Sequence, residues 1–111
     1  FDGTEKRLRA YFQERFADRI KIVTSGNIWI DFIAPNANKG SALSNIVSSL
    51  GMDPKNGITF GDQYNDLEML QAAQVGICMG NSPMLEPYAD YVTAPLEEDG
   101  LFLAMQHFGL F

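Results

Sequence analysis

One stretch of the sequence decides the fold: Phe60-Gly61-Asp62-Gln63-Tyr64-Asn65-Asp66. It follows a short apolar run over residues 57–60, which predicts a buried strand, and it precedes a helical spacing of apolar residues, which predicts a helix over 65–73. Open α/β sheets bind ligands at the carboxyl ends of their strands. In this sequence, two carboxylates and an amide lie at such a strand end. Neither a strand nor a helix requires two acids at that place, whereas a divalent cation does.

The sequence around this stretch alternates between strand and helix patterns from residue 39 onward. This alternation is typical of βαβ units and predicts a parallel sheet. Two details are also predicted: Pro83 starts a short helix, and Glu98-Asp99 form the acidic first turn of the last helix. The predicted elements are a helix ending at Gly51, a strand over 58–60, the helix over 65–73, a strand over 75–79, the short helix over 83–87, a strand over 91–93 and a last helix over 101–108.

The first 34 residues follow a different pattern. Thr4 is predicted to cap an amphipathic helix that begins at Glu5 and ends near residue 17. Two strands, over 20–24 and 28–33, flank Ser25-Gly26-Asn27 and predict an antiparallel hairpin. The sequence therefore predicts a boundary between two parts of the chain near Pro35.

Composition narrows the classes of partner. The net charge is −6, and from residue 35 onward the acidic residues greatly outnumber the basic ones, Lys39 and Lys55. Because phosphate contacts dominate nucleic-acid affinity, we expect no nucleic-acid partner, although a metal ion and a lysine could still hold a small phosphorylated molecule. No apolar run approaches the length of about 20 residues that spans a bilayer, so we expect no membrane partner.

The sequence contains one cysteine, Cys78, within the apolar run Val75-Gly76-Ile77-Cys78-Met79. A single cysteine excludes an internal disulfide, and its apolar neighbours predict a small buried core residue. We interpret this cysteine usage as typical of a reducing, cytoplasmic location.

Two residues are candidates for chemistry from their positions alone, and each has a structural alternative. Asp62 could ligate Mg²⁺, which prefers carboxylate oxygens, or Asp62 or Asn65 could cap the following helix. Lys39 opens a helix, where anions are favoured, or it is a solvated surface lysine. In the same way, Asn81 and Ser82 either line the mouth of a site or cap the helix predicted at Pro83.

The central stretch resembles motif IV of the haloacid dehalogenase (HAD) superfamily, G-D-x-x-N-D. Asn38-Lys39-Gly40-Ser41-Ala42-Leu43 is similar to the lysine motif of the Cof-type (class IIB), sugar-phosphatase-like branch, and Gly80-Asn81-Ser82 and Glu98-Asp99-Gly100-Leu101 are similar to later strings of that branch. The resemblance implies an α/β fold in two parts. Residues 1–34 would be the end of an α+β cap domain, and residues 35–111 the C-terminal half of a Rossmann-like core with a parallel sheet.

The resemblance also implies roles for the site residues. Asp62 contacts the Mg²⁺ cofactor, and Asp66 supports the metal site from close by. Asn65 lies near the substrate phosphate. Lys39 neutralises the phosphoryl group and orients the nucleophile, so that Lys39 and Asp66 are the catalytic residues of this part of the chain.

Two motifs of the family are not identifiable. The aspartate nucleophile, in D-x-D, and the Ser/Thr motif are missing, and we interpret Phe1-Asp2-Gly3-Thr4 as a chance likeness to the tail of D-x-D-G-T. We therefore predict the C-terminal piece of a Mg²⁺-dependent phosphomonoester hydrolase that acts on small phosphorylated metabolites such as sugar phosphates through an aspartyl-phosphate. Alone, this piece is predicted to be inactive, and either to self-associate or to be marginally stable. The alternative is a non-catalytic domain that binds Mg²⁺ or phosphate, or serves assembly.

Overall fold

The computed structural model describes residues 3–25 and 29–111, which form two compact units, Phe1–Ala37 and Asn38–Phe111. The division between the units follows Ala37, close to the boundary predicted near Pro35. The assignment of the first unit to a cap domain stays a prediction. The predicted turn residues Gly26 and Asn27, and Asp2 of the D-G-T string, lie outside the described residues.

The first unit consists of one helix and a hairpin. Helix α1 spans Thr4–Phe16, and strands β1 (Lys21–Ser25) and β2 (Trp29–Ile33) pair antiparallel, with Ile22 opposite Phe32. The predicted helix and hairpin are thus confirmed. The α1 ring of Phe12 meets the ring of Phe32 edge-on, with centroids 4.9 Å apart, so the helix packs on one face of the hairpin.

The predicted cap of α1 is wrong. Thr4 is the first helical residue, and Gly3 precedes it with a φ of 92°. The helix begins one residue early because the N–H of Arg7 donates to the carbonyl of Gly3 at 3.3 Å. Glycine adopts a left-handed conformation without a steric cost, so this entry into the helix needs no capping side chain.

The second unit is an α/β layer with a parallel sheet, as predicted. Strands β3 (Ile58–Gly61), β4 (Val75–Cys78) and β5 (Tyr91–Val92) pair in the order β3-β4-β5. Helices α2 (Lys39–Ser49), α3 (Leu67–Ala72) and α4 (Gly100–His107) complete it. The fully buried side chains include the predicted core residue Cys78, together with Leu70, Ile77 and Leu85.

Helix α2 ends as its sequence predicts. Leu50 occupies the C-cap position, and Gly51 follows with a φ of 74°, the left-handed conformation that commonly terminates a helix. Across residues 3–25 and 29–111, none of the helices is both long enough and apolar enough to cross a membrane.

Two predictions in the second unit are wrong. No helix spans 83–87; a turn leads instead into a short 3₁₀ segment, Glu86–Tyr88, because Pro87 has no N–H to continue a helical ladder. Glu98 and Asp99 lie before α4 and not in its first turn. Asp99 has a φ of 58°, which turns the chain so that the helix starts only at Gly100.

Candidate active site

The candidate site lies where two parallel strands end side by side. Strand β3 ends at Gly61, and a 3₁₀ turn over Tyr64–Asp66 leads from there into α3. The carbonyl of Gly61 accepts a hydrogen bond from the N–H of Met79, just past the end of β4, at 2.8 Å. Asp62 therefore occupies the carboxyl edge of the sheet, where α/β folds bind their ligands.

Helix α2 delivers Lys39 to this edge. Its N-terminus is fixed by Asn38, whose Oδ1 accepts from the N–H of Ser41 at 2.8 Å, while the hydroxyl of Ser41 accepts from the N–H of Asn38 at 3.2 Å. Lys39 is the first residue of the helix, and its Nζ forms an ion pair with Oδ1 of Asp66. The structure therefore brings together two candidate site residues that lie far apart in the sequence.

The second oxygen of Asp66 holds the backbone of the central stretch. Oδ2 accepts from the N–H groups of Asp62 at 3.0 Å and of Gln63 at 3.2 Å. Burial opposes ionisation of this carboxyl, but the hydrogen bonds from Lys39 and from the two backbone N–H groups hold its pKa below the ordinary value of 3.8. Asp66 is therefore a buried carboxylate at neutral pH.

Two glycines permit this close arrangement. A Cβ on Gly40 would lie 2.5 Å from the carbonyl oxygen of Glu68, so α2 can approach the start of α3 only with glycine after Lys39. A Cβ on Gly61 would lie 2.6 Å from the Cβ of Asp66. Any larger residue at either position would push the ion pair apart or displace the backbone.

The contacts of the Asp62 side chain differ from those of Asp66. Its side chain is exposed and, within residues 3–25 and 29–111, makes no hydrogen bond or ion pair. Neither Asp62 nor Asn65 occupies a helix N-cap position, since Gln63 precedes the 3₁₀ turn and Asp66 precedes α3. The capping alternative for both residues is therefore wrong, and the Asp62 carboxylate remains available to a ligand. Asn65 is also exposed.

A cleft of about 390 Å³ opens in front of Asp62. Asn81 and Ser82 both line it. The capping alternative is wrong for both, because no helix begins at Pro83, and their place at the mouth of a site stays a prediction. The rest of the lining mixes polar and apolar groups: Phe60, Gln63, Met79, Gly80, Leu96, Glu97 and Leu101.

The donor set fits part of a magnesium site. In the two described ranges, 3–25 and 29–111, no three His, Cys, Asp or Glu side chains cluster closely enough to hold a metal ion by themselves. Mg²⁺ keeps several waters and is commonly bound through one or two carboxylates plus substrate phosphate oxygens. The exposed carboxylate of Asp62 suits one such position, whereas both oxygens of Asp66 already accept hydrogen bonds.

Known proteins resemble this chain over most of its length. A family model of haloacid dehalogenase-like hydrolases matches residues 2–105. A putative bifunctional phosphatase/peptidyl-prolyl cis-trans isomerase of Streptococcus pyogenes serotype M6 is 36% identical over 95 residues, which are 85% of this chain and 20% of that protein. The 5-amino-6-(5-phospho-D-ribitylamino)uracil phosphatase of Bacillus subtilis is 34% identical over 92 residues, which are 82% of this chain and 37% of that protein.

The backbone supports the same relationship. A solved sugar phosphatase of HAD subclass IIB superposes on 99% of this chain with a TM-score of 0.83 and 31% identity, and the match covers 41% of that structure. The chain thus spans less than half the length of each of these relatives. The resemblance read from the motifs is confirmed: this chain belongs to the haloacid dehalogenase-like hydrolase family.

Proposed function

We propose that this chain carries the metal-binding and phosphate-binding part of a Mg²⁺-dependent phosphatase for small phosphorylated metabolites such as sugar phosphates. One observation carries the proposal. The Lys39–Asp66 ion pair and the exposed Asp62 carboxylate converge at the carboxyl edge of a parallel sheet. One of the relatives is named a sugar phosphatase, and another is named a phosphatase of a phosphorylated ribityl compound. Both names support this choice of substrate.

The proposed roles follow from the contacts of each residue. Asp62 offers the exposed carboxylate to Mg²⁺, and the bound ion supplies Lewis-acid stabilisation of charge on the phosphoryl oxygens. Asp66 supports the metal site from close by, because one of its oxygens holds the Asp62 backbone and the other holds Lys39.

Lys39 and Asn65 are the proposed contacts to the substrate phosphate. The Lys39 side chain is 51% exposed, so its ammonium can meet an anion while Asp66 limits where the ammonium lies. A compact ammonium neutralises a phosphoryl group as a point charge. Asn65 is exposed on the same 3₁₀ turn as Asp66 and can donate its amide to a phosphate oxygen.

The covalent step requires a carboxylate that attacks phosphorus. We propose an aspartyl-phosphate formed on an aspartate outside these 111 residues, so that the chain alone is inactive. We also propose a cytoplasmic location, which rests on the single, buried Cys78. The competing proposal, a non-catalytic Mg²⁺- or phosphate-binding or assembly domain, is favoured if the parent gene encodes no D-x-D-G-T upstream.

The proposal is tested in the full-length protein with a generic aryl phosphate and a Mg²⁺ titration. We expect Asp62→Asn to lower Mg²⁺ affinity and turnover together. Asp53→Asn is the matched control, because Asp53 lies before β3, at the opposite end of that strand, and an asparagine keeps its bond to the N–H of Lys55. A Mg²⁺ dependence of Asp62→Asn equal to that of the wild type would overturn the proposal.

A further inference from the structure

The backbone on both sides of Asp62 is fully hydrogen-bonded. In the peptide before it, the carbonyl of Gly61 accepts from Met79 at 2.8 Å, and the N–H of Asp62 donates to Asp66 at 3.0 Å. In the peptide after it, the N–H of Gln63 donates to Asp66 at 3.2 Å, and the carbonyl of Asp62 accepts from Oγ of Ser82 at 2.7 Å. Because peptide units are planar, these four bonds fix both backbone dihedrals of Asp62.

The Ser82 bond differs from the other three. Two of those come from Asp66, four residues along the same segment, and one comes from a backbone N–H next to β4. Ser82 alone reaches across from a separate loop with a side chain, and it is 4% exposed. Its hydroxyl therefore determines the orientation of the Asp62–Gln63 peptide from outside the motif.

Ser82 is itself held from its other side. Asn81 has a φ of 68°, a conformation that asparagine tolerates better than most residues, and it turns the chain back toward β3. The carbonyl of Ser82 then accepts from the N–H groups of Leu85 at 2.9 Å and Glu86 at 3.3 Å. The hydroxyl thus projects from a backbone whose position does not depend on Asp62.

We infer that Ser82 is a positioning residue that, through its hydroxyl, aims the Asp62 carboxylate into the cleft. This inference deepens the proposed function and rests on it, since it takes Asp62 as the metal ligand. With both backbone dihedrals fixed, only the side-chain torsions of Asp62 remain to be ordered when a cation binds. Fixing a ligand beforehand in this way reduces the cost of binding.

Loss of the Ser82 hydroxyl should therefore weaken cation binding without removing a ligand. Substitutions of groups that orient metal ligands commonly cost 10–100-fold in affinity, and we expect about tenfold weaker Mg²⁺ binding for Ser82→Ala. At saturating Mg²⁺ the turnover should return to near the wild-type value, because Ser82 contacts neither the phosphate nor Lys39 in this scheme.

The experiment is calorimetric titration of the full-length protein with MgCl₂ in the absence of substrate, alongside thermal unfolding of each variant. Thr93→Val is the matched control, because the buried hydroxyl of Thr93 also donates to a backbone carbonyl, that of Gly100, at 2.8 Å. We expect both variants to lose similar stability and only Ser82→Ala to lose Mg²⁺ affinity. Should Ser82→Ala not fold, Ser82→Cys keeps the shape but donates weakly and should also weaken Mg²⁺ binding.

The outcomes separate this inference from the proposed function. Wild-type Mg²⁺ affinity in Ser82→Ala, with weakened affinity in Asp62→Asn, overturns the positioning role and leaves the metal ligand in place. Equal weakening in Ser82→Ala and Thr93→Val also overturns it, since general loosening would then explain the loss. Wild-type affinity in Asp62→Asn overturns the proposed function itself.

Discussion

Lys39 and Asp66 stand 27 positions apart in the sequence and form an ion pair in which the lysine is 51% exposed and the aspartate 4% exposed. The buried partner also holds the N–H of Asp62 through its second oxygen. One carboxylate therefore connects the candidate phosphate-binding lysine with the candidate metal ligand. The ion pair serves to place an ammonium group, since a pair whose lysine is half exposed gains little Coulomb energy from its attraction.

Replacing Lys39 should affect catalysis far more than folding. In the full-length protein we expect Lys39→Ala to reduce turnover of an aryl phosphate by at least about a hundredfold, the scale seen when one stabilising donor is removed from an active site. Circular dichroism should not change, because Lys39 is the first residue of α2 and its side chain is half exposed.

Lys55→Ala is the control for Lys39→Ala. The ammonium of Lys55 donates to the carbonyls of Gln71 and Ala73 at the end of α3, so this variant removes the other cation of the second unit without touching the site. Wild-type turnover in a folded Lys39→Ala variant would contradict the role assigned to Lys39.

The lowered pKa of Asp66 predicts how the stability of the fold depends on pH. A carboxyl whose pKa is lower in the folded than in the unfolded state stabilises the fold above the unfolded value, and this contribution disappears as the pH falls through the folded value. We expect Asp66→Asn to be less stable than the wild type at pH 7, by about 1–3 kcal/mol, because Lys39 and the two part-buried N–H groups lose a charged acceptor. The difference should shrink below the ordinary pKa of 3.8.

Urea unfolding of both proteins at pH 7, 5 and 3 measures how this difference in stability depends on pH. The slope of the unfolding free energy against urea concentration shows whether the two proteins expose the same surface when they unfold. The gap should be the same at pH 7 and pH 5 and smaller at pH 3. A gap that stays constant to pH 3 would show that the ionisation of Asp66 does not contribute to stability.

Gly61 should tolerate no side chain. A Cβ there would lie 2.6 Å from the Cβ of Asp66, so we expect Gly61→Ala to cost about 1–3 kcal/mol through overpacking and to lower Mg²⁺ affinity by shifting Asp66. Gly57→Ala is the comparison: its Cβ would meet only the carbonyl of Pro54, at 3.3 Å, at the start of the same strand. Chemical denaturation of both variants tests the difference, and equal losses would contradict the close-approach argument.

The sequence predicts the elements that its local patterns control. Helix α2, the left-handed stop at Gly51 and the strand before Gly61 are each set within a few residues, and each is confirmed. The helix expected at Pro83 does not form, because Pro87 interrupts it. The apolar spacing predicts a helix there only if the effect of this proline is left out. Asp99 likewise turns the chain at a place where its charge suggested a helix start.

The contacts inside the site could be predicted less well, because they join distant segments. Nothing in the spacing of Asp66 shows that one of its oxygens binds Lys39 and the other binds the backbone of Asp62. From the sequence, Ser82 is a candidate only for the mouth of the site or for a cap. Its bond to the carbonyl of Asp62 depends on how the turn at Asn81 meets the end of β3, which tertiary structure alone determines.

The sheet of the second unit predicts how the 111-residue chain behaves by itself. In the described ranges, β3 is an outer strand of the three-stranded sheet, with β4 on its one paired side. A strand edge with unpaired N–H and carbonyl groups is a template for pairing with another chain. We expect the isolated chain to self-associate, with sedimentation coefficients that rise with concentration, and to show no aryl-phosphatase activity above background. Sedimentation velocity across a hundredfold concentration range, with a Mg²⁺-supplemented aryl-phosphate assay on the same samples, measures both. A monomer at every concentration with Mg²⁺-dependent turnover would place the nucleophile within this chain, at Asp2 or another of its acids, and would contradict the proposal that it lies elsewhere.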